Sequence, residues 1–409
     1  MIDTDILFIG GLFPKEIELD IYANSKKGIQ YAANKLQWNI VNGLDLVMPN
    51  KVSIINSMYI GTFPHRYKKL FIKTEKFNLN KNSNNVNVGF INFIGIDRIS
   101  RYYNMTPYIN EWIYKNNSKK LVILYALTSR NINIIKHIKK INPEVLTCII
   151  VPDLPEYMRI GVKTNKIYSI MKELNQNNIY NNTKYVDHFV LITEEMKNKI
   201  NLNNNYTVIE GMVGYNDDYD NLVEIVNQDE YYKVILYTGG LNEKYGVVDL
   251  VESFTQIKDK KYRLIICGSG NLEEYVKQKS KNDDRIIYKG QVEHKQVLKL
   301  QKNATVLVNP RKNDNEYTKY SFPSKNLEYL LSGKPVIAYR LDGIPKEYES
   351  VICYVNEDNK YGLRDKIIEI CEKTNEERDY IGEKGRKFVL ERKNNKIQIK
   401  RLIRDILGE

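Results

Sequence analysis

The sequence predicts an α/β protein in which one architecture occurs twice: a parallel sheet covered by helices on both faces, then a second sheet of the same kind. Three observations carry this. Apolar, β-branched runs alternate with helix-spaced stretches along most of the 409 residues. The rhythm lapses over residues 216–230 (NDDYDNLVEIVNQDE) and then restarts. The first strand of each half ends in a glycine pair, Gly10-Gly11 and Gly239-Gly240. A chain of this length also exceeds one ordinary domain.

In chain order, DILFIGG reads as a buried strand running into a glycine turn. GIQYAANKLQWNIVNGL has helical spacing, with Gly43 as its stop. KVSIINS and VNVGFINFIGI read as the next two strands, and RISRYYNMTPYINEWIYKN as a helix. KKLVILYAL and VLTCIIVP are strands with a helix over 129–141 between them, and HFVLIT and YTVIEGMV complete the half. The second half repeats the scheme through YKVILYTGG, YRLIICGSG, RIIYKG, TVLVNP, KPVIAYR and VICYV. Residues 362–409 are charged and helical.

Composition excludes several classes. No run approaches the roughly 20 apolar residues of a membrane span. The start, MIDTDILFIGGLFPKE, has acidic residues where an export signal has basic ones, so no signal is expected. Cys148, Cys267, Cys353 and Cys371 form no C-x-x-C pair, and the four histidines are scattered. Zinc and a disulfide framework are therefore not expected, and a reducing, cytoplasmic compartment fits. The net charge of +12 admits an anionic partner or a composition biased toward Asn, Lys, Ile and Tyr. No nucleic-acid-binding signature is present, so nucleic acid is not an expected partner.

In open parallel sheets, ligands bind outside the carboxyl ends of the strands. In the second half these loops are TGGLNEKYG, CGSG, KGQVEH, NPRKNDNEYTKYSFPSK and RLDGIP, and four of the five contain glycine. Glycine lets backbone approach a ligand, although βα turns use glycine in any case. SFPS turns the chain into a helix whose first amides, near Ser324 and Lys325, face the same edge. A phosphate there meets amide donors, the positive helix end, and Lys325 or Arg311. Glu328, about one turn on, suits a vicinal diol such as ribose, and it also suits a solvated first-turn glutamate. Phosphate plus ribose implies a nucleotide.

These residues resemble the donor domain of GT-B glycosyltransferases, in particular retaining family 4 (glycosyl transferases group 1). YSFPSKNLEYLLSGKPVIA is similar to that family's two-glutamate segment and its G-x-P-V-I-A strand. GGLNEKYGVVDLVESF is similar to its glycine-led loop and helix, and LIICGSG, IYKGQV and VLVNPR to the strands between. LITEEMKNKI and VIEGMV match late first-domain segments. The likeness is good over 185–345 and thinner over 1–184.

The resemblance implies two Rossmann-like domains facing a cleft. Residues 1–220 would form the acceptor domain and 228–389 the donor domain, with a last helix of about 390–409 packing back on the first. It implies that Glu328 binds the ribose hydroxyls and that amides near Ser324 and Lys325 meet the diphosphate. Gly239, Gly240, Gly268 and Gly270 line the nucleotide, and main chain at Gln291 and Val292 holds the base. Gly28, in KKGIQYAAN, approaches the phosphates from the first domain.

The chain departs from the family at three places. Tyr320 replaces the first glutamate, which usually touches the transferred sugar. Gly240 replaces an arginine, and Tyr245 takes a lysine's place, with Lys244 one position earlier. Arg311 is then the candidate for leaving-group charge. Where the family often has a histidine, this chain has Pro152 and Asp153. Asp153 is the candidate to orient or deprotonate the acceptor hydroxyl, or else it is an ordinary turn aspartate.

The implied reaction is sugar transfer from a nucleotide diphosphate sugar to a hydroxyl of a glycan or lipid-linked oligosaccharide, with retention and no bound metal or cofactor. No D-x-D pair follows a strand. HRYKKLFIKTEKF mixes lysines with apolar residues, which suits either an anionic membrane surface at the inner face or an ordinary basic segment. Two other classes are weighed. One is a non-catalytic GT-B partner subunit. The other is a GT-B sugar-nucleotide epimerase, whose acids and histidines are not found.

Overall fold

The computed structural model describes residues 4–26, 29–79, 85–158, 166–202, 205–215, 231–357, 359 and 361–408. The chain divides into two compact units, Met1–Gly214 with Asn395–Glu409, and Tyr215–Asn394. The expected linker over 216–230 lies outside the described residues.

The first unit runs β1 (Thr4–Gly10), α1 (Glu18–Asn24), α2 (Tyr31–Val47), β2 (Val52–Asn56), β3 (Phe71–Ile72), β4 (Glu75–Phe77), β5 (Asn85–Asn87), β6 (Phe90–Ile91) and α3 (Ile96–Tyr114). It continues through β7 (Lys119–Tyr125), α4 (Ser129–Ile141), β8 (Leu146–Val151), α5 (Lys166–Asn181), β9 (His188–Leu191), α6 (Met196–Ile200) and β10 (Tyr206–Val208). Its main sheet has the order β10-β9-β8-β7-β1-β2-β5-β4. All neighbours are parallel except β4, which runs antiparallel to β5. The strands are apolar on both faces because helices cover both; Ile6, Leu7, Phe8 and Ile9 are all fully buried.

The second unit runs β11 (Lys233–Thr238), α7 (Val247–Thr255), β12 (Tyr262–Cys267), α8 (Glu273–Asn282), β13 (Ile286–Gly290), α9 (His294–Lys302) and β14 (Val306–Asn309). Then follow α10 (Lys325–Leu331), β15 (Val336–Ala338), β16 (Cys353–Tyr354), α11 (Gly362–Cys371) and α12 (Asn375–Arg392). Its sheet has the order β13-β12-β11-β14-β15-β16, all parallel. The chain crosses outward in one direction from β11 and returns to build in the other direction from β14. The β11–β14 boundary is therefore the topological switch point, where open sheets of this kind leave a crevice.

Two readings of the sequence need correction. Gly43 does not stop its helix; α2 continues to Val47. The glycine is there because α13 (Asn395–Leu407) crosses at that point. A Cβ on Gly43 would lie 2.7 Å from Ile399 and 2.9 Å from the Asn395 carbonyl. And VNVGFINFIGI is not one strand. It breaks at Val88-Gly89 into β5 of the main sheet and β6, which pairs antiparallel with β3 in a small separate sheet.

Helix α13 is held to the first unit by specific bonds. The Asn395 amide donates to the Val213 carbonyl (2.8 Å), and its side chain donates to the Asn39 carbonyl (3.0 Å). Thr207 donates to Asp405 (2.9 Å), and the buried His188 ring pairs with Thr207 (2.9 Å). Burial pushes the His188 imidazole below its ordinary 6.5, against the pull of Asp405, and burial with Lys140 does the same to His137. Both rings therefore bind protons more readily in the unfolded chain. Their contribution is complete above about pH 6.5 and is lost as pH falls below it. The melting temperature is expected to drop between pH 7.5 and 5.5 by calorimetry or fluorescence, and by less in His188→Gln.

Candidate active site

At the switch point of the second unit, three strand-end loops lock together through their backbones. The Gly239 amide donates to the Cys267 carbonyl (3.0 Å), the Gly268 amide to the Gly290 carbonyl (2.7 Å), and the Leu241 amide to the Ser269 carbonyl (3.0 Å). Gly268 has φ +137°, and a Cβ there would lie 1.8 Å from the Gly239 carbonyl oxygen. A Cβ on Gly270 would lie 2.3 Å from that of Leu241. These glycines are thus required by loop-on-loop packing, whatever they line. Tyr288 ties the edge further by donating to the Gly268 carbonyl (2.9 Å). Gln291 is exposed and Val292 half-buried in the loop after β13.

The other side of the switch point belongs to the loop after β14. Gly246, at φ +75°, closes the GGLNEKYG loop against it; a Cβ there would lie 1.9 Å from the Pro310 carbonyl oxygen. Next to Pro310 is Arg311, only 7% exposed. Its Nη2 donates to the Ser321 hydroxyl (2.6 Å), and its guanidinium lies over the Tyr317 ring, 4.8 Å from the centroid. Its Nε is buried without a hydrogen-bond partner, and among the described residues no carboxylate pairs with it. Lys244 is exposed and approaches the same Tyr317 ring (6.0 Å) as well as that of Tyr245 (5.0 Å). Tyr317 thus gathers a cation from each of two loops, a relation that sequence reading missed. A buried cation without a counter-ion is costly, and it is tolerated where a ligand supplies the anion.

Helix α10 begins beside this pair. The Asn309 side chain donates to that of Asn326 (2.7 Å), joining the end of β14 to the first turn. No side chain caps the helix; the Asn326 and Leu327 amides turn back onto Pro323 and Ser324. The amides of Ser324 and Lys325 donate to no acceptor among the described residues. Glu328 is mostly buried. One of its oxygens accepts from Lys325 Nζ (2.8 Å) and from Gln301 Nε2 (2.7 Å). The carboxylate is therefore oriented by two neighbours, and Gln301 was not legible as one of them. Tyr329, one residue on, is fully buried and receives the Thr238 amide on its hydroxyl (2.8 Å), fixing α10 to the end of β11. Tyr320 is buried at 9% exposure in the turn before α10.

In the first unit the corresponding edge gathers Gly10, Gly11, Tyr59 and Tyr125. Tyr59 donates to the Tyr125 carbonyl (2.6 Å) and accepts from Arg130 (3.0 Å). Ala126 takes φ +78°, a conformation rare for a residue with a side chain, and Asn131 steadies it by donating to the Tyr125 and Ala126 carbonyls (2.7 and 2.8 Å). Asp153 follows β8 on this edge and is exposed. Burial first, and the Asp153 charge next, push the Tyr125 phenol well above its ordinary value, so the carboxylate lies within electrostatic reach of Tyr125. Gly28 lies outside the described residues. Among the described residues no three His, Cys, Asp or Glu side chains converge as a metal site, and no helix is long and apolar enough to cross a membrane.

Comparison with known proteins bears on this arrangement. Residues 218–388 match the family described as Glycosyl transferases group 1. No curated protein matches the sequence. Among solved structures, sucrose-phosphate synthase from Thermosynechococcus elongatus is similar at TM-score 0.67 and 15% identity, over 99% of both chains. HepE of Anabaena, solved in complex with UDP, is similar at 0.64 and 11%, over 99% of this chain and 100% of that one. WaaG, a glycosyltransferase involved in lipopolysaccharide biosynthesis, is similar at 0.61 and 12%, over 99% and 100%.

Proposed function

We propose a donor, a chemistry and an acceptor class for this chain, which has the GT-B fold of two Rossmann-like domains and carries a glycosyl transferases group 1 domain over residues 218–388. It moves a sugar from a nucleotide diphosphate sugar to an acceptor hydroxyl, with retention at the anomeric carbon, in the assembly of bacterial surface polysaccharide or glycoconjugate. The observation that carries this reading is Arg311: a buried guanidinium with no carboxylate partner among the described residues, at the switch point, with Lys244 on the same tyrosine. The anion that fits is a diphosphate. Negative charge grows on it as the glycosidic bond breaks, and Arg311 and Lys244 with the Ser324 and Lys325 amides stabilise that charge. Glu328, aimed by Gln301 and Lys325, takes the ribose diol. Gly239, Gly240, Gly268, Gly270 and Val292 bound the nucleotide, and Tyr320 faces the sugar. Asp153 orients the acceptor hydroxyl. The reading gives no resident metal or cofactor a part.

Tyr320, where relatives of this domain usually have a glutamate, favours one second reading, a non-catalytic partner subunit. Incubation with UDP-, GDP- and dTDP-sugars separates the two. Slow release of free nucleotide from at least one donor is expected. Binding of none of them leaves the partner subunit, and interconversion of the sugars would replace both with an epimerase.

A further inference from the structure

The first unit carries an exposed apolar knob that its own core does not use. In the small β3–β6 sheet, Phe71 pairs with Ile91 and Ile72 with Phe90. Alternation along each strand sends Phe90 inward, where it is buried, and leaves Phe71 69% exposed beside the exposed Ile91. The Ile91 amide donates to Ser100 (3.1 Å), which sets α3 against this pair. The chain between them rises through Phe93 and Ile94, and Ile94 is 72% exposed. Gly95 follows at φ +83°, and a Cβ there would meet nothing within 4 Å, so the turn stands in open space. Ile96 and Ile99 then extend the apolar surface down one side of α3.

The segments that flank the knob in the chain carry exposed cations. Arg66, Lys73, Lys76 and Arg98 are exposed, and among the described residues none is in an ion pair. The acids nearby are Glu75, exposed, and Asp97, half-buried. A convex apolar tip standing clear of its surroundings offers no groove to a folded partner. With exposed cations in the segments that flank it, it matches a bilayer, where the tip enters the headgroup boundary and the lysines and arginines meet anionic lipid. Its position has a consequence. Glu75 of β4 lies opposite Asn87, the last residue of β5, so β3, β6 and the knob sit at the carboxyl edge of the sheet. Asp153 and Tyr59 stand at that same edge.

We infer that this knob docks the protein on an anionic lipid surface and brings the acceptor end of the first unit to the membrane, so that the acceptor is lipid-borne. The acceptor statement rests on the transferase reading; the docking does not. The test is co-sedimentation of the full chain with phosphatidylcholine vesicles, with and without phosphatidylglycerol, at low and high salt. Wild type is expected to pellet with the anionic vesicles at low salt and to be released at high salt. Ile94→Asp is expected to stay in the supernatant. The pair Lys73→Ser with Arg98→Ser should weaken binding by about fivefold per cation removed. All of these variants should still be stabilised thermally by a nucleoside diphosphate. Wild type that ignores anionic vesicles, or an Ile94→Asp protein that pellets equally, overturns the docking. So does a dimer in light scattering that Ile94→Asp dissolves, since the knob then meets a second copy. If docking holds but no nucleoside diphosphate stabilises the protein, the transferase reading falls while the surface stands.

Discussion

Replacing Arg311 with methionine is expected to lower glycosyl transfer by about 10²–10³-fold, the usual result of removing one fixed partner of transition-state charge. The loss should fall on kcat more than on KM, because the phosphate gains charge only as the bond to the sugar breaks. Stability should move the other way. Among the described residues Arg311 makes one side-chain hydrogen bond, to Ser321, and leaves its Nε buried without a partner. Methionine fills similar space without a charge to desolvate, so the ligand-free melting temperature should stay level or rise. Steady-state kinetics and a thermal melt on the same preparation check both halves. A variant that loses activity by unfolding would show a lower melting temperature instead.

Glu328→Gln should act differently. On the proposed reading the group accepts hydrogen bonds from a diol whose charge does not change during the reaction. Its removal is therefore expected to raise the donor KM with a smaller effect on kcat. Charge-assisted hydrogen bonds are worth about 1.5–3 kcal/mol, which corresponds to roughly 10–100-fold in donor affinity. The substitution also removes the negative charge that pairs with Lys325, while leaving an oxygen able to accept from Gln301. Gln301→Leu is then expected to shift KM in the same direction by less, because it disturbs the aim of the carboxylate and not its charge. Initial-rate kinetics over a range of donor concentrations separates the two parameters.

Much of the fold was legible because strands buried on both faces leave continuous apolar runs that no surface constraint interrupts. Ile6 to Ile9 and Leu121 to Leu124 are such runs, and all eight residues are fully buried. Gly43 was misread because the reason for it lies far along the chain: α13 returns to cross α2 at that residue, and a local rule sees only a helix breaker. Strands β3 and β4, two and three residues long, were too short to leave a pattern. At the site, the glycine loops and the SFPSKNLEYL segment could be picked out because strand-end loops are where a parallel sheet presents its ligand edge. The pairing of Gln301 with Glu328, and the convergence of Lys244 and Arg311 on Tyr317, could not. Those links join separate elements and depend on side-chain direction. Gly268 and Gly270 acquired a second physical reason, since their loops touch backbone to backbone with no room for a side chain.

The central claim is that the second unit holds a diphosphate on Arg311. Titration calorimetry of UDP, ADP and GDP, and of the matching nucleosides, into wild type and Arg311→Met tests it most directly. At least one nucleoside diphosphate is expected to bind wild type. Arg311→Met should bind it much more weakly, while the matching nucleoside, which lacks the phosphates, binds both proteins alike. A diphosphate that binds wild type and Arg311→Met with equal affinity would contradict it, as would a protein that takes up none of the three.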